Sequence, residues 1–260
     1  MKKITLVTLV LLSTLLTQAQ DFQKYKIAAV VNPGVAWIKP DSKFITDEGN
    51  TLRFGFGINM DIHFTENYAF GTGLTISRQG GNLSYLETGK KDNVEYVWSK
   101  TREYKLQYAE VPLSLKLRTN EIGYITYWGQ FGIIPGININ AKGNDDIDYL
   151  LEKTQLNIDG SLTWTTSDRP SITNEDEDIK DDIKIFRVGL LIGAGIEYSL
   201  SGNTSVVAGI VYNNGFSNIL NNKLVTYDDG DKTVFENGKP KTANLKAMSN
   251  SLSLTVGIKF

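Results

Sequence analysis

A strict alternation of apolar and polar residues constrains this chain more than any other feature of its sequence. Between positions 53 and 64 the even-numbered residues are all apolar: Phe54, Phe56, Ile58, Met60, Ile62 and Phe64. The odd-numbered residues are polar, charged or glycine. Successive side chains of a β-strand point to opposite faces, so this pattern predicts a strand with one face for hydrocarbon and one for a polar environment. With few exceptions the pattern recurs at 68–77, 186–197 and 251–260.

Segments with this alternation predict eight strands along the chain, at approximately 26–38, 50–64, 68–84, 100–119, 123–141, 183–200, 203–220 and 246–260. The connections at 65–67, 120–122 and 201–202 are short and carry Asn, Gly or Ser, which tight hairpins favour. The other connections are long. Because short and long connections alternate, we predict an all-β fold, an eight-stranded antiparallel transmembrane β-barrel with short periplasmic turns, long extracellular loops and both termini in the periplasm.

The first residues have the features of a secretory signal peptide. Two lysines precede the apolar run Ile4–Leu16, and small residues follow at Thr17 and Ala19. We predict a signal peptide over 1–19 and an outer-membrane β-barrel domain over 20–260. A transmembrane anchor is the alternative, but the apolar run is shorter than the ~20 residues that span a bilayer as a helix.

Residue types that carry most enzymatic chemistry are scarce. The sequence has no cysteine and one histidine, His63, which leaves no thiol nucleophile, no disulfide and no usual triad or metal cluster. We therefore predict no enzymatic activity, no cofactor and no metal site, and we assign His63 no functional role. The net charge of −2 argues against nucleic acid as a partner.

Charged residues recur on the polar faces of the predicted strands. The interior of an eight-stranded barrel is only wide enough for side chains, so buried charges there must pair with one another. We expect Glu110 to pair with Arg53 or Arg118. The predicted polar core of the lumen consists of Arg53, Asp61, Glu110, Lys116, Arg118, Arg187, Glu197 and Lys259.

Aromatic residues near the strand ends predict two girdles at the membrane interfaces, where Tyr and Trp are favoured. The girdle next to the short connections consists of Phe64, Tyr68, Tyr124, Tyr127, Tyr198 and Phe260. The girdle next to the long connections consists of Trp37, Phe54, Tyr104, Phe186 and Phe216. A secreted β-sandwich with an aromatic core is the alternative, but its strands are typically only ~5–6 residues long.

The segment 142–182 is the most acidic part of the chain. Its four basic residues minus its twelve acidic residues give a charge of −8, which predicts a solvated acidic loop. Carboxylates are the ligands that Ca²⁺ prefers, but the segment lacks the glycine and glutamate spacing of an EF-hand. Bridging of this loop to anionic lipopolysaccharide by divalent ions stays open.

The segment from Tyr108 to Lys116, YAEVPLSLK, resembles the Y-x-E-[IV]-P-L-x-x-K segment of the PorT-like outer-membrane β-barrel family of Bacteroidetes. The matching residues include Tyr108, Glu110 and Pro112. Glycine pairs at 71 and 73 and at 193 and 195 also fit that family. The resemblance implies a porin-family outer-membrane barrel without catalytic residues. Known roles within the family include type nine secretion.

The first and last predicted strands meet where the barrel closes, and each has a feature that bears on the resemblance. Asn32-Pro33-Gly34 departs from the family pattern and predicts a bulge or bend near the seam, because proline cannot donate to a β-ladder. The resemblance also implies that the last strand, ending at Phe260, is the signal read by the barrel-assembly machinery.

Two functions remain open at this stage. The first is a structural or interaction barrel whose loops contact another outer-membrane or surface protein, a surface glycan or secretion machinery. The second is a narrow passive channel for small solutes. Side chains fill the interior of an eight-stranded barrel, so we favour the first. Outer-membrane lipid and lipopolysaccharide are expected to surround the barrel.

Overall fold

A computed structural model describes residues 24–155, 162–227 and 233–260. The predicted signal peptide over 1–19 lies outside these residues and stays a prediction. The described chain is almost entirely β-structure, with a single turn of 3-10 helix at Lys180–Asp182. No helix in these ranges is long and apolar enough to cross a membrane.

The strands vary widely in length, and the longest belong to the middle of the chain. In order they are β1 Tyr25–Pro40, β2 Ile45–Gly49, β3 Thr51–His63, β4 Tyr68–Lys91, β5 Val94–Glu110, β6 Leu113–Arg118, β7 Ile125–Gln155, β8 Leu162–Thr166, β9 Ile172–Asp178, β10 Phe186–Ser201, β11 Thr204–Gly215, β12 Lys223–Val225, β13 Phe235–Glu236, β14 Lys239–Pro240, β15 Thr242–Asn244 and β16 Ala247–Lys259.

Antiparallel pairing closes the sheet into a ring of eight strand positions, in the order β1, β3, β4, β5 with β6, β7, β10, β11 and β16. β5 and β6 share one position, because β6 continues the course of β5 after Val111 and Pro112. β16 pairs with β1 from Ala28↔Lys259 to Pro40↔Ala247, so the ring has no free edge. The predicted eight-stranded antiparallel barrel is confirmed.

Burial along the ring strands follows the alternation in the sequence. On β3, Phe54 and Ile58 are exposed, whereas Arg53 and Asp61 are buried inside the ring. An apolar outer face around a polar interior is the reverse of a soluble protein and is typical of a barrel in a bilayer. This arrangement rules out the secreted β-sandwich.

The ring has a turn end and a loop end. The connections 64–67, 119–124 and 202–203 at the turn end are short. At the loop end, β4 with 24 residues and β7 with 31 residues run well past the ~9–11 residues that cross a bilayer as a tilted strand. Together with the outer part of β5 and with β2, β8 and β9, they build a sheet beyond the ring, called the extension below.

An apolar core closes the loop end of the barrel. Inward-facing side chains of the long strands, such as Leu83 and Leu106, meet Ile219, Leu220 and Leu245 from the last long connection. This core, called the cap, consists of Ile38, Ile45, Leu83, Tyr85, Tyr104, Leu106, Tyr108, Ala141, Ile179, Ile183, Ile219, Leu220, Leu224, Leu245 and Ala247.

The aromatic residues predicted to form girdles face outward, with one clear exception. All six at the turn end are exposed, from 45% for Tyr68 to 67% for Tyr124. At the loop end Phe54, Phe186 and Phe216 are also exposed, and Trp37 is half-buried. The prediction for Tyr104 is wrong, since it is only 1% exposed and lies in the cap. Tyr104 is an even number of residues from Glu110 on the same strand, which places both on the inner face.

At Asn32-Pro33-Gly34 the predicted bulge is not formed, but the β1–β16 ladder at the seam is interrupted there, between Val31↔Val256 and Gly34↔Ser253, without a shift in register. β1 pairs with β3 from Tyr25↔Ile62 to Ala36↔Thr51 in one unbroken register. Pro33 lies on the exposed outer face, and Thr255 donates a hydrogen bond of 2.7 Å to the inward-facing Asn32. Gly34 lets β16 approach closely, because a Cβ at this position would collide with the Leu252 carbonyl.

Candidate functional site

The buried charges of the lumen lie in two clusters. The turn-end cluster consists of Asp61, Lys116, Arg118, Glu197 and Lys259. Lys116 Nζ lies 2.9 Å from Asp61 Oδ2 and 3.1 Å from Glu197 Oε1, and Lys259 Nζ contacts the same two carboxylates. Arg118 adds an ion pair of 2.7 Å to Glu197. Each carboxylate therefore holds at least two cations in a closed network.

The central cluster is built around Glu110, which is fully buried. Arg187 donates a hydrogen bond to Glu110 Oε1, and Arg53 Nη2 lies 3.4 Å from Oε2. Gln79 Nε2 donates a third hydrogen bond of 3.3 Å to Oε1. Arg53 also donates a hydrogen bond of 3.0 Å to Ser253. One carboxylate thus serves two guanidinium groups.

Strand register explains why Arg187 reaches Glu110. Gly136 on β7 lies directly between them, paired with Glu110 on one side and Arg187 on the other. A Cβ at Gly136 would lie 3.1 Å from Glu110 Cγ and 3.4 Å from Arg187 Cγ. The missing side chain therefore makes room for an ion pair across three strands. Sequence alone did not identify this pair, because it does not give the register between β7 and β10.

Of the two pairs expected for Glu110, the structure brings Arg53 to the carboxylate but not Arg118. Arg118 is eight positions further along the chain, and at ~3.3 Å per residue this separates the two by roughly 26 Å along the barrel wall. Arg118 instead binds Glu197. Its Nη1 also lies 3.0 Å from His63 Nε2, so His63 is part of the turn-end packing.

The segment that resembles the PorT-like family supplies much of the central cluster. Tyr108 and Glu110 both point inward, and the Arg187 guanidinium lies 5.2 Å from the centre of the Tyr108 ring. Pro112 follows in the break between β5 and β6. The spacing of Tyr108 and Glu110 therefore corresponds to two contacts on one buried arginine.

A cavity of about 70 Å³ lies in the lumen and is lined by residues of both clusters. The Trp128 ring forms part of its wall and packs against Gly209 and Gly195, where a Cβ at Gly195 would lie 2.7 Å from the ring. Lys116 Nζ lies 4.8 Å from the centre of the same ring. A cavity of this size holds a few water-sized groups and no large solute.

The described part of the segment 142–182 is not a loop, although most of its carboxylates are exposed to solvent as its composition predicted. It contains the outer part of β7, β8 and β9. Asp145 is only 1% exposed, and Arg102 binds it through two hydrogen bonds of 2.5 Å. Arg102 also pairs with Asp182 at the base of the extension. The composition could not show that Asp145 is buried, because the cation that neutralises it, Arg102, belongs to β5 and is distant in sequence.

Burial also changes the acid–base properties of a tyrosine pair in the cap. The hydroxyl oxygens of Tyr85 and Tyr104 lie 3.3 Å apart. Burial raises the pKa of Tyr104 to about 12 and raises that of Tyr85 well above its ordinary value. Both tyrosines therefore stay neutral in the folded protein at physiological pH.

Within the described ranges, no group of three or more His, Cys, Asp or Glu side chains is arranged to hold a metal ion.

Comparison with known proteins agrees with the barrel architecture. Residues 18–221 match the family described as "Outer membrane protein beta-barrel domain". This match covers well over half of the chain, and the chain belongs to that family. It is a β-barrel protein of the Gram-negative outer membrane. No curated protein sequence is significantly similar to it.

Several solved structures are similar to this chain at low sequence identity. Neisserial surface protein A is 11% identical with a TM-score of 0.41, covering 92% of this chain and 98% of its own. OprG from Pseudomonas aeruginosa is 10% identical with a TM-score of 0.42, covering 91% and 95%. Ail, the attachment invasion locus protein of Yersinia pestis, is 12% identical with a TM-score of 0.33, covering 92% and 100%.

Proposed function

We propose that this protein is a non-enzymatic outer-membrane barrel that binds a partner through its extension. The observation that carries the proposal is the extension itself, a multi-stranded sheet that continues β4, β5 and β7 beyond the ring and shares a buried core with the last long connection. Strands of this length are not needed to cross the bilayer. The added residues form an ordered surface outside the membrane, which suits recognition.

We infer the orientation of the barrel from the difference between its two ends. Outer-membrane barrels have short turns in the periplasm and longer loops outside the cell. We therefore place the turn end and both termini in the periplasm and the extension at the cell surface. In this orientation Phe260 lies at the periplasmic interface, where the assembly machinery would meet the last strand.

The exposed chemistry of the extension favours a basic partner. Acidic side chains are exposed along its strands and the adjoining turn: Asp146, Asp148, Glu175, Glu177 and Asp181. Some acids on this surface are partly neutralised, as in the 3.2 Å ion pair between Lys105 and Asp176. A basic patch on another outer-membrane or surface protein would complement the remaining negative charge. Linkage of the same carboxylates to lipopolysaccharide by divalent ions is the alternative. Removal of divalent ions distinguishes this linkage from protein binding.

The packing of the lumen is the reason for preferring this function to a passive channel. The cap closes the loop end, and the two charge clusters occupy the interior below it. A channel needs a continuous aqueous path, whereas the described lumen offers a cavity of only about 70 Å³. Catalysis is also disfavoured, because His63 is the single histidine of the sequence and its Nε2 lies 3.0 Å from the Arg118 guanidinium.

We further infer from the Tyr108–Lys116 segment that the chain is a PorT-like protein of Bacteroidetes. The support is the Y-x-E-V-P-L-x-x-K spacing of this segment, in which Tyr108 and Glu110 both contact the buried Arg187. These contacts stabilise the barrel and do not identify its partner. Secretion machinery is therefore one candidate partner among outer-membrane and surface proteins.

Site-specific photocross-linking in native cells tests the proposal. A photoreactive residue in place of Asp148 on the extension should give one defined protein adduct, whereas the same residue in place of lipid-facing Leu254 should give only lipid adducts. Charge reversal at Asp146 and Glu177 should abolish the protein adduct without lowering the amount of barrel. Adducts with lipopolysaccharide alone at position 148, lost on removal of divalent ions, would contradict protein recognition.

A further inference from the structure

The outer wall of the barrel changes from apolar to charged where the strands run out toward the loop end. The outward-facing residues of β4 over 68–76 are uncharged, and the next one is Arg78. The outward-facing residues of β7 over 127–140 are also uncharged, and the next one is Lys142. On both strands the first charge beyond the apolar band is therefore a cation.

The same order holds on or next to six of the eight strand positions of the ring. In each case the first charged residue on the outer face toward the loop end is basic and exposed, which defines a basic belt: Lys39, Arg78, Lys105, Lys142, Lys184 and Lys246. The outward faces of the other two strands, β3 and β11, carry no charge. Within the ring as described, no strand presents an acid to the outside before its belt residue.

The belt lies at the height expected for the outer lipid headgroups. Arg78 is ten positions beyond the turn-end aromatic Tyr68 on β4, and Lys184 is fourteen positions beyond Tyr198 on β10. At ~3.3 Å per residue and a tilt of about 45°, the two cations lie roughly 23–33 Å from the turn-end girdle. The apolar band of such barrels is about 25 Å tall. The belt thus lies at or just outside the loop-end boundary of the hydrocarbon.

The protein neutralises the belt only in part. Lys105 makes a 3.2 Å ion pair with Asp176. Asp178 lies opposite Lys142 in the β7–β9 ladder, and Asp41 follows shortly after the belt residue of β1. Apart from Lys105, the residues of the belt make no ion pair with a described residue. An excess of positive charge therefore remains at this height of the outer wall.

The described residues of the turn end form no such belt. Its exposed charged residues, in the short connections and just before β1, are one cation and two acids: Lys24, Glu66 and Glu121. The two ends of the apolar wall therefore differ in charge, which indicates that they meet membrane surfaces of different chemistry.

We propose that the basic belt binds the phosphate groups of the outer-leaflet lipid, lipopolysaccharide, directly and without divalent ions. Lysine and arginine form charge-assisted hydrogen bonds with phosphate and are attracted to an anionic membrane surface. The inference rests on the orientation proposed above but not on the protein partner. Asp146 and Asp148 follow Lys142 further out on β7, so the lipid and the partner of the extension occupy separate levels.

Purified lipid A is the probe for this proposal. Native mass spectrometry of the refolded full-length barrel in EDTA measures the fraction of barrels that retain lipid A, as a function of its concentration. Phosphorylated lipid A should bind, and the same lipid freed of its phosphates should not. Equal retention of the two forms would overturn the proposal, and so would binding that appears only when Ca²⁺ or Mg²⁺ is added.

Two triple variants separate the belt from the overall charge of the protein. One removes half of the belt: Arg78→Gln, Lys142→Gln and Lys184→Gln. The control removes three exposed lysines of the extension and of the last long connection: Lys90→Gln, Lys91→Gln and Lys239→Gln. Each basic residue near an anionic membrane surface contributes roughly a fivefold factor, so the belt variant should bind lipid A about a hundredfold more weakly. The control should bind like the wild type, and equal losses for both variants would overturn the proposal.

Photocross-linking at Gln107 distinguishes lipid from protein in native cells. Gln107 lies on the outer wall, paired with Arg78 on one side and with Asn140 on the other. A photoreactive residue at this position should give adducts with lipopolysaccharide, and a protein adduct in their place would overturn the lipid assignment. Protein recognition by the extension is measured separately at Asp148, so the two proposals can fail independently.

Discussion

Replacing Glu110 with glutamine is expected to destabilise the barrel strongly. Glu110→Gln keeps the side-chain volume but removes the carboxylate shared by Arg53 and Arg187, all three of which are at least 95% buried. Breaking a buried ion pair by removing one partner costs about 3–5 kcal/mol. Because two guanidinium groups lose their counter-charge together, we expect a loss near the upper end, about 5 kcal/mol.

The assay is reversible urea unfolding in detergent, followed by Trp fluorescence and by gel mobility without heating, since a closed barrel migrates faster than its unfolded chain. The control Glu175→Gln changes an exposed carboxylate and should stay within about 0.5 kcal/mol of the wild type. Adding Arg187→Met to Glu110→Gln should restore part of the lost stability, because one unpaired cation is removed. A loss below about 1 kcal/mol for Glu110→Gln would refute the view that this carboxylate organises the lumen.

Three further changes test other parts of the structure. Gly209→Ala should lower the free energy of unfolding by about 1–3 kcal/mol, because the new Cβ collides with the Trp128 ring. Gly129→Ala has free space for its Cβ and should be nearly neutral in the same unfolding assay. Equal effects of the two substitutions would contradict the packing of Trp128. Burial raises the pKa of Tyr104 from 10.0 to about 12 on folding, so its contribution to stability is complete below pH 10 and is lost as the pH rises through 12. Tyr104→Phe should therefore flatten the alkaline part of the plot of stability against pH. An unchanged plot would exclude Tyr104 as the source of the alkaline loss. Deleting Phe260 removes at most ~3 kcal/mol of apolar burial, so the truncated chain should refold in detergent but fail to reach the outer membrane in cells; normal assembly would show that Phe260 is not part of the signal.

The strand layout could be predicted from the sequence because it depends on local pattern. One apolar face against lipid and one polar face in the lumen impose a period of two, as between Arg53 and Phe64. Strict use of that period would also have placed Tyr104 inside, since it shares the inner face with Glu110. Whether a residue lies an even or odd number of positions from an inward-facing residue therefore indicates its face better than its closeness to a strand end.

The partners of the buried charges could not be predicted, because they depend on register between strands that are distant in sequence. Arg187 meets Glu110 only because Gly136 pairs with both. Asp145 belongs to a segment whose composition indicates a solvated loop, yet Arg102 from β5 holds it in a buried ion pair. Composition gives the sign of a charge but not the strand that lies beside it.

The cap above and the paired charges within close the lumen of the barrel. Planar-bilayer recording on the purified wild-type protein tests this claim most directly. We expect little or no steady conductance, because the described lumen holds a cavity of only about 70 Å³ between side chains. Large, stable open steps from the pure protein would contradict the closed lumen and would favour the channel function instead.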